Sequence, residues 1–284
     1  GTVTGVQTCA LPIYTEVTSG WLSALLGPLE EDAQVGICGP KLLFGEGQLQ
    51  EAGGIIWRDG SGWNFGREDD PDKPAYNYRK AVDYVSGACL AVRRTLWEAL
   101  GGFDARYEPC YYEDTDLCFA AREAGFDVVY QPECEVYHFE GVSHGTDTGS
   151  GMKAYQLRNQ QLFREKWQQE LASAHFENGD SVFQARERSG IRRCVLVIDH
   201  YVPSYDKDAG SRSTMMYLQL MVDMGYNVKF LGANFFPHQP YTRELQRMGI
   251  EVLYGEHMAR TVGSWLESHA SDIDAIYLHR PHVA

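Results

Sequence analysis

"GGFDARYEPCYYEDTDLCFAAREAG", residues 101–125, is the stretch on which the rest of the chain turns. Three carboxylates, Glu113, Asp114 and Asp116, fall within four positions, ahead of a small apolar pattern that ends at Gly125. The pattern predicts a helix stopped by its glycine. Acids in a first turn are favoured by the positive end of the helix dipole, so helix initiation alone can account for them. Their surroundings suggest more. An aromatic loop leads into them, and downstream "YHFEGVSHG" (137–145) sets His138 and His144 on a polar, glycine-containing loop at a strand end. Acids at a helix mouth and a histidine at a strand end can converge on one cleft.

The composition bounds what that cleft can serve. The chain has 284 residues, 25 basic against 39 acidic, a net charge of −14 and a pI near 5.0. Without a clustered basic surface it is a poor nucleic-acid binder, since phosphate neutralisation needs grouped Lys and Arg. A phosphorylated small molecule remains compatible, because a carboxylate-held cation can supply the positive charge. No apolar run reaches the roughly 20 residues of a membrane span. Seven dispersed cysteines with no CxxC pair fit buried, reduced thiols of a cytoplasmic protein. A zinc site from Cys110, Cys118, Cys134 and His138 is the alternative, but the spacings are wrong for paired zinc ligands.

Along the chain, 19–32 predicts a helix with Ser19 as its cap, and 35–44 a buried strand. Residues 45–78 form a Gly-, Asp- and aromatic-rich loop or small hairpin region, the usual place for binding residues. Strands are expected at 126–132 and 134–139, and a long amphipathic helix at 152–171. The polar stretch 173–193 is expected to be a linker. From Cys194 the rhythm changes to strand and helix in alternation ("CVLVID", "TMMYLQLMVDMG", "NVKFLGA", "YTRELQRMG", "EVLYG", "DAIYLH"), which predicts a parallel, doubly wound sheet.

Residues 3–13, "VTGVQTCALPI", resemble a translated sequencing adapter. Residues 1–13 are therefore set aside as an artefact, and the expectation is that the reading frame starts inside a gene at Tyr14.

The stretch from Val82 to Gly145, within a match running from about Thr15 to Leu171, resembles the acceptor half of an inverting family 2 glycosyltransferase of GT-A fold. The resemblance implies a nucleotide-diphosphate sugar donor, a glycan or lipid-linked glycan acceptor, and Mg²⁺ or Mn²⁺. It makes Asp114, of the Glu-Asp pair, the general base, with Glu113 beside it orienting the acceptor. Asp116 is left to cap the helix. His138 matches a third metal ligand of some relatives, although a structural loop histidine is an equal reading; His144 is weaker. Lys153 and Asn159 are expected to be structural, or substrate contacts. The family's acidic metal-binding triplet should precede "xVTPGWL", and here the region is "IYTEVTSGWL" (13–22). Glu16 stands where the second acid belongs and Tyr14 where the first does. Tyr and Asp codons differ only in the first base, so Tyr14 is expected to replace a natural Asp at the adapter join. The polypeptide should then lack a complete donor site.

"RRCVLVIDHYVPSYDKDAGSRSTMMYLQLMVDMGYNVKFLGAN" (192–234) resembles the N-terminal Rossmann-like half of a family 4, GT-B glycosyltransferase. Gly210 in the "DAGSRS" turn is then the residue that approaches the acceptor. A receiver-domain reading fails for want of a phospho-acceptor Asp ending the next strand. The expectation is thus an α/β chain: a truncated GT-A-type domain over 14–172, a linker over 173–193, and half of a GT-B Rossmann-like domain over 194–284. It would be an inactive fragment of a bifunctional polysaccharide-building enzyme, cytoplasmic and peripheral to the inner membrane. The alternative is a non-catalytic carbohydrate-binding or scaffold protein on the same folds.

Overall fold

A computed structural model of the protein describes residues 6–8, 14–139 and 150–280. The chain divides into two compact units, residues 1–71 with 80–188, and residues 72–79 with 189–284.

The first unit is a mixed sheet clothed by helices. It opens with β1 (Val6–Thr8), β2 (Thr15–Val17) and α1 (Trp21–Glu31), and continues with β3 (Val35–Leu43), β4 (Leu49–Glu51), β5 (Gly54–Ile56) and β6 (Gly62–Asn64). Then come β7 (Lys80–Ala81), β8 (Ala91–Arg93), α2 (Arg94–Leu100), α3 (Glu113–Glu123), β9 (Asp127–His138), α4 (Ser150–Lys166), α5 (Gln168–Ala174) and α6 (Val182–Ala185). The sheet runs β1-β8-β3-β9-β2, with β4 on β3 and β7 on β9. β3 and β9 are parallel, and every residue of β3 is buried, so both faces of the sheet centre are covered. Leu25 and Leu29 of α1 pack with Val35, Cys38 and Leu42 of β3, Cys89, and Val129, Cys134 and Val136 of β9. Cys38, Cys89 and Cys134 are therefore core side chains, and burial pushes the Cys134 thiol up. Among the described residues no group of three His, Cys, Asp or Glu is placed to hold a metal ion, which overturns the zinc alternative.

Several sequence expectations change. Ser19 does not cap α1: the helix starts at Trp21 after a left-handed Gly20, with no side-chain cap. Residues 127–138 form one strand with a register shift opposite Pro40 and Lys41, not two. Residues 173–188 are not a free linker. His175, Phe183, Ala185, Arg186 and Glu187 are buried in the first unit, and His175 stacks on Phe119 at 5.2 Å. Polar composition misled here: His175 Nδ1 donates to Ile56 O at 2.7 Å, the Arg186 guanidinium lies over the Phe183 ring at 4.7 Å, and Arg188 meets the buried Asp83. β1 pairs with β8 through its backbone (Gln7 with Val92), as any extended segment can on an open edge.

The second unit carries β10 (Cys194–Asp199), α7 (Ala209–Asp223), β11 (Asn227–Gly232), α8 (Tyr241–Arg247), β12 (Glu251–Leu253), α9 (Gly255–Ser268) and β13 (Ala275–Leu278). Every strand pairing is parallel and the order is β12-β11-β10-β13. Numbered from β10, that is 3-2-1-4, a doubly wound arrangement whose order reverses beside β10. Val197, Leu218, Phe230, Leu245 and Val252 form its core. Among the described residues no helix is long and apolar enough to cross a membrane.

Candidate active site

Two consecutive residues with left-handed backbones, Tyr111 (φ 74°) and Tyr112 (φ 73°), lead into α3. Such conformations cost about 1–3 kcal/mol each and persist only where the surroundings enforce them. Here the Asn159 side-chain amide reaches the carbonyl oxygens of Tyr107, Cys110 and Tyr111 at 2.7, 2.8 and 3.0 Å. The Tyr112 hydroxyl donates to Gly60 O at 2.8 Å, and its ring packs on Phe163 at 5.2 Å. The strained loop is clamped from α4 and from the 57–60 turn, and it sets where Glu113 and Asp114 leave the chain. Asn159, fully buried, is thus a structural clamp.

Asp114 is partly exposed and well supplied with donors. Its Oδ2 accepts the Gly87 amide at 2.7 Å, and its Oδ1 accepts the Thr115 amide at 2.7 Å and the Thr115 hydroxyl at 3.2 Å. Burial nevertheless raises its pKa, and the hydrogen bonds only partly offset that. Glu113 behaves differently. Its Oε2 is buried with no hydrogen-bond partner, and burial, then the charge of Asp114, lifts its pKa to about 7.

Asp116 does not cap α3, contrary to expectation. It lies one turn in, 3% exposed, and accepts from the Tyr107 hydroxyl (2.9 Å), the Trp167 indole (2.7 Å) and Lys166 Nζ (2.8 Å). The helix has no side-chain cap at all.

The structure adds a carboxylate that sequence reasoning missed. Glu51, at the end of β4 and 2% exposed, accepts the Ser86 amide at 3.2 Å. Burial, then the charge of Asp114, raises its pKa to about 8. Only its place in a polar-apolar run ("QLQEAGG") could have marked it, and that pattern does not distinguish a surface glutamate from a buried one.

The expected metal ligands are not assembled. Thr15 pairs with His138, and Glu16 with Tyr137. Directly paired residues share a face and successive residues alternate, so Glu16 and His138 point to opposite sides of the sheet. Glu16 is exposed, and His138 Nδ1 lies 3.0 Å from Gln50 Oε1. These residues do not fit a shared Mg²⁺ or Mn²⁺. His144 and the Lys153 side chain lie outside the described residues. Two clefts of about 660 and 960 Å³ run along α4 and α5, lined by residues such as Arg58, Gln160 and Arg164, and by Arg122, Trp167 and Arg188. Neither is lined by Asp114 or Glu113.

In the second unit Gly210 is not in a loop. It sits in the first turn of α7, where a Cβ would come within 3.0 Å of the Arg280 guanidinium. Asp208 caps that helix through Ser211, and Arg280 pairs with the fully buried Asp199 at 3.1 Å.

Residues 64–165, which hold α3 and its acids, match the family "Glycosyltransferase like family 2". Among curated relatives, the chain is 32% identical over 136 residues (46% of this chain) to the O-antigen biosynthesis protein RfbC of Myxococcus xanthus. It is 42% identical over 76 residues (27% of this chain) to the N-acetylglucosaminyl-diphospho-decaprenol L-rhamnosyltransferase of Mycobacterium tuberculosis. The aligned segments span 10% and 24% of those proteins' own lengths. A solved structure of GalNAc-T7 with UDP, GalNAc and Mn²⁺ aligns with 60% of this chain and 33% of its own, at 15% identity and a TM-score of 0.45.

Proposed function

We propose that this chain is part of a glycosyltransferase that moves a sugar from a nucleotide-diphosphate donor to a hydroxyl of a glycan or lipid-linked glycan, with inversion. Asp114 accepts the proton of the acceptor hydroxyl while that oxygen bonds to the anomeric carbon. The bond to the diphosphate breaks, and the nucleotide leaves with the electron pair. A base on the face opposite the leaving group is what a single inverting displacement requires. The observation that carries this reading is the Glu113-Asp114 pair at the mouth of α3. Asp114 is held by three donors, while Glu113 Oε2 is buried with its lone pairs unused. A buried unpaired acceptor calls for a donor, and an acceptor-sugar hydroxyl supplies one. Glu16 and His138 do not meet, so this pair does not hold a metal ion for the leaving diphosphate. The relatives' names favour surface-polysaccharide assembly as the setting. The doubly wound second unit is compatible with half of a GT-B transferase, and in that reading Gly210, in the first turn of α7, would be the residue nearest the acceptor.

The test is Asp114→Asn in the full-length protein that carries this chain, assayed with a panel of nucleotide sugars and a lipid-linked glycan. Loss of a positioned base lowers kcat by about 100-fold or more with the donor KM unchanged. Retained turnover would remove Asp114 as the base. A wild-type protein that binds glycans yet transfers nothing from any donor would favour the carbohydrate-binding alternative.

A further inference from the structure

Ser86 and Gly87 are consecutive in a turn closed by the Cys89 amide on Ser86 O at 3.2 Å. The Ser86 amide goes to Glu51 and the Gly87 amide to Asp114. One turn therefore carries two carboxylates on adjacent N–H groups, and one of them is almost fully buried. Like charges so placed do not both ionise cheaply. Asp114 has three donors and partial exposure, Glu51 has the single amide of Ser86, so the negative charge belongs on Asp114.

We infer that Glu51 is a positioning residue for the base: in its neutral form it fixes the Ser86–Gly87 turn that presents Asp114, and it keeps that turn singly charged. The inference rests on the proposed function. Burial first, and the Asp114 charge second, hold the Glu51 proton up to pH of about 8. Arg67 pulls the other way. Tyr84 and Cys118, which also feel Glu51, are themselves pushed up by burial, the thiol to about 12, and stay neutral through this range. Glu113 ionises lower, near 7. Above pH 8 a second charge then enters the turn and drives Asp114 from its place.

The experiment is the pH profile of sugar transfer from 6 to about 10 in the full-length protein, for wild type, Glu51→Gln, Glu51→Ala and Asp114→Asn. Wild-type kcat should fall on the alkaline side with an apparent pKa near 8. Glu51→Gln, a permanently neutral mimic, should keep kcat within about twofold at pH 7 and lose that alkaline limb. Glu51→Ala, which leaves the Ser86 amide without its acceptor, should lose about tenfold or more in kcat with both KM values held. A wild-type alkaline limb in Glu51→Gln, or wild-type kcat in Glu51→Ala, overturns the inference. If Glu51→Ala does not fold, the Glu51→Gln profile decides alone. An active Asp114→Asn sinks the underlying reading. An inactive Asp114→Asn with an unchanged Glu51→Gln profile sinks only this one.

Discussion

Asp116 accepts the indole N–H of Trp167 at 2.7 Å, joining residues 51 apart in the chain. The same carboxylate takes the Tyr107 hydroxyl and Lys166, so three segments of the first unit meet on one acid. Two residues earlier, Asp114 bonds to the Gly87 amide and to its own neighbour Thr115. Two acids of one helix therefore differ: Asp116 ties distant segments together, and Asp114 does not.

That division predicts opposite responses to substitution. Asp116→Ala leaves the Trp167 indole and Tyr107 hydroxyl unpaired beside a partly buried lysine, and should cost about 2–4 kcal/mol. Asp114→Asn removes a charge that burial disfavours and should change stability by less than about 1 kcal/mol. Urea unfolding of this chain, followed by tryptophan fluorescence, measures both. Equal losses would deny the distinction.

The helix at 113–123 and the alternating pattern after Cys194 were legible because each rests on local periodicity, which the chain states outright. What Asp116 does was not. A carboxylate in a first turn looks like a cap whether or not it caps, and its partners Tyr107 and Trp167 come from outside the helix. The buried role of 173–188 was hidden for a related reason. His175, Arg186 and Glu187 are polar in composition, yet they are buried. Glu51 could not be found at all, since its meaning depends on Ser86 and Gly87, 35 and more residues away.

Glu51 also gives a stability signature that needs no activity. Its folded-state pKa stands near 8 against an unfolded value of 4.5. Between those values the folded state binds the proton and the unfolded state does not, so its contribution is full below pH 4.5 and is lost as pH rises through 8. Glu51→Gln removes the effect. Its melting temperature relative to wild type should therefore rise steadily from pH 5 to 8.5, by a few degrees for each kcal/mol recovered, roughly 2–4 °C in a chain of this size. A constant difference across that range would show that Glu51 is charged in the folded protein.

Gly54 is fixed by contact. A Cβ there would come within 1.9 Å of the Tyr84 ring, whose hydroxyl bonds to Asn64 at 2.8 Å. Gly54→Ala should cost about 2–4 kcal/mol through overpacking, and Tyr84→Ala in the same chain should recover part of it. Additive losses in the double variant would mean the two do not collide.

In the second unit Lys229 and Glu251, paired at 3.0 Å across β11 and β12, are 0% and 2% exposed at the side chain. Breaking a buried pair takes a counter-charge away from a buried carboxylate, so Lys229→Met should destabilise by about 3–5 kcal/mol. Lys229→Met with Glu251→Leu should be far milder than Lys229→Met alone, because neither charge then remains. The same unfolding measurement separates these outcomes, and a double variant worse than the single one would contradict them.

The pairing of β2 with β9 sets Glu16 and His138 on opposite faces of the sheet. With Thr15 opposite His138 and Glu16 opposite Tyr137, the exposed Glu16 carboxylate stands without the histidine once expected to join it. Hard divalent cations need several oxygen ligands in one place, and a lone exposed carboxylate binds them weakly. Millimolar Mn²⁺ should therefore leave the melting temperature of this chain unchanged, and His138→Ala should not alter that result. Position 14 lies two residues before Glu16, immediately ahead of β2, so Tyr14→Asp brings a second carboxylate close to the first. That variant should show a saturable, Mn²⁺-dependent rise in melting temperature, because a ligand bound only by the folded state stabilises it. A rise in the unsubstituted chain that His138→Ala abolishes would show that Glu16 and His138 do share an ion.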